Sequence, residues 1–326
     1  MDTAIVLFTR DLRVHDNPAL AGGCARARQV VPLFVVDLAL DVPPNRARFL
    51  AESVAALREE LRGLGGDLVI RVGDPVAETI RLATEVKAGA VFVAGDVSRY
   101  AARRERRLAA ECATDRVALE VTPGHQVVPA GDLQPGGGGH YRVFTPYWRA
   151  WSAATWRRQH ATPAAVSLPA GIAPGRLPAR GTGASKGLAP GGERAGKERA
   201  RAWLDGSLKG YAGQHDALAA DDTSRLSAYL RFGCVSPLAL PTRRCRTRAV
   251  KNSAGSWPGG TSSTRSRPPS RISRPGTTGR VLAAPRTGRR TPARSTPGGP
   301  GRPVARSSTP GCGSWPPKGS CTTGHG

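Results

Sequence analysis

Five short apolar runs punctuate residues 1–130: AIVLF (4–8), QVVPLFVV (29–36), DLVIRV (67–72), AVFVAG (90–95) and VALEVT (117–122). They are rich in β-branched residues and nearly continuous, the pattern of strands buried on both faces. Between them, apolar residues recur at helical spacing. In NRARFLAESVAALREELRGLG, the side chains of Phe49, Leu50, Val54, Leu57 and Leu61 share one face, and Gly63, Gly65 and Gly66 end the helix. DPVAETIRLATEVKAG and SRYAARRERRLAAECA repeat the form and open on Asp74 and Ser98, which suit an N-cap. Alternating strand and helix units predict an α/β domain over residues 1–130, a Rossmann-like, doubly wound parallel sheet. FTRDLRVHDNPAL stands where a GxGxxG turn would follow the first strand, so a standard nicotinamide dinucleotide site is not expected there.

The pattern then changes. QPGGGGHYRVFTPYWRAWSAATWRRQ is a glycine tip leading into a Trp-rich helix, and residues 160–192 are a Pro/Gly/Ala-rich linker; together they make up the segment 131–192. A second helical region, 193–240, comes next as ERAGKERARAWLDGSLKGYAGQHDALAADDTSRLSAYLRFG and beyond. Its DDTSRLSAYL stretch holds a helix start, with Asp222, Thr223 or Ser224 as cap and Leu226, Tyr229 and Leu230 as apolar face. Free N–H groups at a helix start, beside hydroxyls, suit a phosphate. The same residues also describe an ordinary capped helix.

Charge changes this picture less than its total suggests. The formal net charge is +24, but 17 of the 48 Lys and Arg lie in residues 241–326, which contain no Asp or Glu. The preceding residues carry 31 basic against 24 acidic side chains, mildly basic, which permits a nucleic-acid partner without requiring one. Cys24, Cys112, Cys234, Cys245, Cys312 and Cys321 form no CxxC pair and have no His at metal-ligand spacing, so neither a metal site nor a disulfide framework is expected. No run approaches the roughly 20 apolar residues of a membrane span. AIVLF is too short for a signal peptide, and a soluble, cytoplasmic protein is expected.

A set of collinear motifs carries more information than any one of them. Tyr211, TSRLS at 223–227, YLRFG and the SP of CVSPL, together with FTRDLRVHDNPAL, PLFVVD, the NRARFLAESVAALREELRGLGGDLVIRVGDP block and YRVFTPYWRAW, resemble the DNA photolyase/cryptochrome family from about Ala4 to Leu240. The resemblance implies an α/β domain, sometimes carrying an antenna chromophore of folate or deazaflavin type, followed by an all-α domain that binds FAD. It implies a flavoprotein lyase of DNA repair, in which light-driven electron transfer from reduced flavin splits a cyclobutane pyrimidine dimer flipped out of DNA. Tyr211, Thr223, Ser224, Arg225, Leu226 and Ser227 would contact the flavin. His215 stands where the family commonly has Arg on the DNA-facing side, and carries less charge at neutral pH. Damaged DNA is the implied partner of a monomer, and the resemblance assigns no catalytic side chain. Two other readings remain: a cryptochrome-type blue-light photoreceptor, and a non-enzymatic basic nucleic-acid-binding protein.

Lesser candidates have simpler explanations beside the functional one. RDLR with His15 and Asp16 reads as a charged turn tying sheet to helix. Asp37, Arg48 and Asp96 fall at or near predicted strand ends, where they would line an antenna pocket or form surface ion pairs. Trp148, Trp151 and Trp156 read as core rather than electron relay, and RRERR (103–107) as a solvated helix face.

Residues 241–326 contain no Phe or Tyr, and Ile272 and Leu282 are their only Ile or Leu, so a disordered basic tail is expected where the family requires more helix. A shifted reading frame explains the same composition. KNSAGSWPGGTSSTR can be recoded in the adjacent frame as EEFGRQLAWRDFFHQ, and STPGCGSWPPKGSCTTG as VDAGMRQLAAKGFMHNR, both resembling family segments in the expected order. That places a frameshift near codons 239–243.

Overall fold

The computed structural model of the protein describes residues 1–124, 126–129, 131–207, 210, 211 and 223–240. Strand β1 (Thr3–Phe8) lies at the centre of a five-stranded sheet. β2 (Gln29–Val36) and β4 (Ala90–Ala94) flank it, with β3 (Val69–Val72) and β5 (Ala118–Thr122) at the edges, in the order β3-β2-β1-β4-β5 and parallel throughout. Ile5 of β1 registers with Val31 on one side and Val91 on the other.

All six positions of β1 are buried because helices cover both faces. Side chains alternate across a strand, so Ala4, Val6 and Phe8 enter one core and Ile5 and Leu7 the other. Helices α1 (Pro18–Arg26) and α2 (Pro44–Gly63) close the first core through Leu20, Val54, Leu57 and Leu61. Helices α3 (Pro75–Glu85) and α4 (Arg99–Thr114) close the second through Val76, Leu82 and Leu108. The predicted caps form: Asp74 accepts from Val76 and Ala77 N–H, and Ser98 accepts from Ala101 N–H.

Three local differences from the sequence pattern have physical causes. Helix α1 escaped the pattern because PALAGGCAR has a weak apolar face; its Gly23 brings the helix so near the sheet that a Cβ would sit 2.8 Å from Val6 Cγ2. β3 begins at Val69 rather than Asp67, whose carboxylate instead accepts from Leu68 N–H and pairs with Arg58 and Arg62. β5 is half-exposed instead of buried on both faces, as an edge strand with one neighbour must be.

Residues 160–192 form no helix or strand, yet they are tied down. Val166 is buried, Ser167 O accepts from Val30 N–H and Pro174 O from Ile70 N–H, and the Arg58 guanidinium reaches the carbonyls of Leu68, Pro174 and Gly175. The segment is a strap along α2 and β3, not a loose linker.

Three further helices are α5 (Phe144–Ala153), α6 (Glu193–Asp205) and α7 (Ser227–Arg231). The first core runs on into this part through Ala200, Leu226, Tyr229, Val235 and Leu240, so α6 and α7 pack on the far side of α2. Gly196 lets α6 approach α7, because a Cβ there would lie 2.4 Å from Val235 Cγ2 and 2.7 Å from Tyr229 Cδ1. The expectation of a disordered tail after residue 240 lies outside the described residues.

Gly233 ends the α7 turn with φ of +68°, and a Cβ on it would fall 1.9 Å from Arg10 O. Gly138 has φ of +79° and open space around it. Gly233→Ala should therefore cost on the order of 3 kcal/mol, and Gly138→Ala about 1 kcal/mol. Urea unfolding of the two variants checks this, and equal midpoints would rule out the close packing of Gly233 on the first loop.

Candidate functional site

The site is built on the loop that leaves β1, Arg10 to Asn17. In an open α/β sheet, ligands lie beyond the carboxyl ends of the strands, at the point where strand order reverses. Here that point is between β1 and β4, and Arg10 Nη1 meets Asp96 Oδ2 across it at 2.6 Å. Asp37, at the end of β2, accepts from the hydroxyl of Tyr100 on α4 and from Ala39 N–H. Arg104 lies over the Tyr100 ring, and Arg107 pairs with Asp74, so the RRERR run is a solvated face with two anchored members. Arg48 is not brought to this end. It pairs with Glu52 on α2, whose carboxylate accepts from Gly191 N–H.

The rest of the loop is a buried charge cluster. Asp11 accepts from Thr9 N–H and Asn17 Nδ2, and burial pushes its carboxyl up. Arg13, 1% exposed, donates to the carbonyls of His15, Asp16 and Gly233, and burial lowers its guanidinium. Asp16, fully buried with φ of +50°, accepts from Arg157 at 2.6 and 2.9 Å, from His160 N–H at 2.9 Å and from the Ser236 hydroxyl. Burial alone would raise the Asp16 carboxyl, but those donors and the Arg157 charge outweigh it and hold the group below its ordinary range. Glu193, at the start of α6, accepts from Val14 and His15 N–H and pairs with Lys197. Beside it on α2, Glu60 is pushed up to about 7 by its own burial and by the Glu193 carboxylate.

This loop holds the segment expected to meet the flavin. A helix leaves its last carbonyls without partners, and at the end of α7 three consecutive ones are taken by the loop. Arg231 O accepts from Arg10 Nε at 2.9 Å, Phe232 O from Leu12 N–H at 3.2 Å, and Gly233 O from Arg13 Nη1 at 2.9 Å. At the other end of the segment, Arg199 of α6 donates to Thr223 O and Ser224 O. Leu226 and Tyr229 are buried, with the Tyr229 ring edge-on to Phe49 at 5.2 Å and its hydroxyl on Pro190 O.

Thr223, Ser224, Arg225, Leu226 and Ser227 thus lie together at the start of α7, but the expected cap does not form. The helix begins at Ser227, Leu226 occupies the cap position with no side-chain bond, and Arg225 has φ of +48°, which breaks the helical path. Thr223 and Ser224 stay in the preceding loop, and Asp222 is outside the described residues. Tyr211 stands against Trp203 of α6, ring centroids 5.7 Å apart and nearly perpendicular. His215 also lies outside the described residues. Sequence reasoning gave no role to Arg199, Trp203, Arg157 or Glu193, and quoted Ser236 only within CVSPL; the main partners of Arg199, Arg157, Ser236 and Glu193 are distant in the chain. Only the i,i+4 spacing of Arg199 and Trp203 could have hinted at a shared face.

Trp151 and Trp156 pack half-buried on a small core cluster, as the core reading expects, whereas Trp148 stands outside it. Helix α5 has no buried residue, and it ends before Trp156; Trp151 and Trp156 lean on Val127, Val128 and Leu238. Among the described residues no helix is long and apolar enough to cross a membrane.

A parallel sheet joined through its first loop to a helical segment defines a class of two-part α/β and all-α proteins. The family model for DNA photolyase matches residues 4–168, and the chain belongs to that family. A deoxyribodipyrimidine photo-lyase of Streptomyces griseus is 44% identical over 257 residues, covering 74% of this chain and 55% of that protein. A cryptochrome DASH of Natronomonas pharaonis is 34% identical over 289 residues, covering 79% and 59%. The crystal structure of a class III photolyase from Agrobacterium tumefaciens shares the fold with a TM-score of 0.72, at 24% identity over 78% of this chain and 57% of that one. The chain spans little more than half the length of the relatives it matches.

Asp16→Asn should leave Arg157 buried without its counter-charge and cost about 3–5 kcal/mol at neutral pH. Because the Asp16 carboxyl is held low in the fold, its contribution is present above the unfolded carboxylate range near pH 4 and lost as pH falls through the folded value. The gap in urea midpoint between parent and variant should narrow on acidification. A gap independent of pH would refute the assignment.

Proposed function

We propose that the chain carries the α/β domain and the first part of the flavin-binding domain of a deoxyribodipyrimidine photolyase. Such an enzyme is a light-driven, FAD-dependent carbon–carbon lyase acting on cyclobutane pyrimidine dimers in DNA. The observation that carries this reading is the Thr223–Ser227 segment. The first-turn donors of α7 have no side-chain cap, while its last carbonyls are fixed by Arg10, Leu12 and Arg13. Arg199 holds Thr223 O and Ser224 O, and the hydroxyls of Thr223, Ser224 and Ser227 with the first α7 amides would meet a diphosphate. The residues present therefore fit the phosphate end of FAD.

The flavin, when bound, supplies the photoexcited electron that opens the dimer. The protein's part is to hold it. Tyr211, braced on Trp203, and Leu226, buried beside α7, would supply apolar contacts to it, and the positive φ of Arg225 turns the chain ahead of the α7 amides. His215, in place of the family's common Arg, offers DNA phosphate a weaker contact at neutral pH. At the β1/β4 end of the sheet, Arg10, Asp37, Asp96 and Tyr100 would border an antenna chromophore of folate or deazaflavin type. Damaged DNA is the partner, and the protein acts as a cytoplasmic monomer. The match to a cryptochrome DASH supports the second reading, a blue-light photoreceptor on the same scaffold.

The relatives' length beyond this match would supply the rest of the flavin pocket, and the shifted frame after about residue 240 accounts for its absence from the translated chain. Purified protein should retain far less than one flavin per chain and should not repair dimer-containing DNA under blue light. A yellow preparation near one flavin per chain would overturn the half-pocket reading. Repair by that preparation would favour photolyase over photoreceptor. Genomic sequencing across codons 230–260 should reveal one base gained or lost. If it does not, the frameshift reading is withdrawn.

A further inference from the structure

Helix α5 is aromatic along one face and has no buried residue. Phe144, Trp148 and Trp151 recur at i, i+4 and i+7, and their rings form a ladder. Phe144 and Trp148 lie 6.3 Å apart with planes 18° from parallel, and Trp148 and Trp151 lie 5.2 Å apart at 23°. The inner end is anchored, since Trp151 meets Trp156 at 4.6 Å and both rest on Val127, Val128 and Leu238. The outer end is open, with Phe144 40% exposed. Along the chain, the stretch 133–158 that carries the ladder has no Asp or Glu and four Arg. Of these, Arg142, Arg149 and Arg158 are exposed and make no ion pair among the described residues.

We propose that the α5 face is a stacking platform for unpaired nucleotides, with bases laid on the outer rings and the phosphates met by Arg142 and Arg149. Aromatic faces accept any base, and cations flanking them track the phosphate chain. A docked polypeptide would gain from the rings but not from a margin that lacks acidic groups; a polyanion gains from both. The inference deepens the DNA reading above by adding a contact surface that the flavin segment does not include.

The test uses the full chain and a short fluorescently labelled oligothymidylate, with anisotropy read at low and high salt. Residues 241–326 add 17 positive charges to every variant alike, so their contribution dominates at low salt and fades at high salt. At high salt, Phe144→Ala and Trp148→Ala should each weaken binding by about tenfold, and Trp148→Phe should restore most of it. The double variant Arg142→Gln, Arg149→Gln should flatten the salt dependence. Because α5 buries no residue, the variants should melt with the parent. Unchanged high-salt affinity in the ring variants overturns the proposal. So does a dimeric parent that Phe144→Ala converts to monomers without altering oligonucleotide binding, which would make the face a contact with a second copy. Flavin content measured on the same preparations keeps the two readings apart: a chain near one flavin with ring-dependent binding counts against the half-pocket reading alone, and a flavin-poor chain without ring-dependent binding counts against the platform alone.

Discussion

The fold turns on one buried ion group, Asp16 with Arg157 and its neighbour Arg13. Burying a charge is costly unless its lone pairs and protons are matched, and losing one partner leaves the others exposed to the same cost. Asp16 has four donors from three places: Arg157 after α5, His160 at the head of the strap, and Ser236 after α7. Arg13 supplies the complementary set, binding the loop's own carbonyls and Gly233 O. Apolar burial is non-directional and would tolerate several ways of seating the helical segment on α2. The ion group permits one. It converts a hydrophobic contact between α2, α6 and α7 into a fixed orientation, and every residue of the candidate flavin segment inherits that orientation.

The same loop therefore serves two elements of function. Its first residue, Arg10, stands between the sheet's ligand end, through Asp96, and the end of α7, through Arg231 O. A ligand at the β1/β4 end would act on a side chain that also holds the candidate flavin segment, two contacts made by one guanidinium. Nearby, the proton that Glu60 retains up to about pH 7 keeps two carboxyls close on the facing sides of α2 and α6. A deprotonated Glu60 would oppose Glu193 there, so this join weakens as pH rises toward that value.

The strands and helices α2, α3 and α4 were legible because each is local. A run such as QVVPLFVV needs no knowledge of its neighbours to be read as a buried strand, and Asp74 and Ser98 cap within three residues of themselves. Helix α1 was not legible, since glycines chosen for closeness to Val6 and Phe92 erase the amphipathic signal. The strap at 160–192 looked like a linker because its bonds are made by backbone carbonyls, which carry no sequence mark. For the site, the resemblance brought Thr223 to Ser227 and Tyr211 to attention, while Arg199, Arg157 and Ser236 stayed silent. Their partners lie between 24 and 220 positions away. Helical spacing of large rings ordinarily means core, and on α5 that holds for Trp151 at the inner end but not for Trp148, which lies outside the buried cluster.

The order of these contacts along the chain shows how the candidate flavin segment is held by residues that come before it. A pocket assembled only from helices of the second domain would lose its walls together with those helices. Here the fixing groups for α7 come from Arg10 to Asp16, residues near the amino terminus on the central strand of the sheet, and from Arg157 and Glu193, all before the segment they hold. The α/β domain acts as the template, and α7 is set on it by bonds that require no residue after Ser236. The candidate segment is thus positioned by side chains that precede it and by Ser236 just after it.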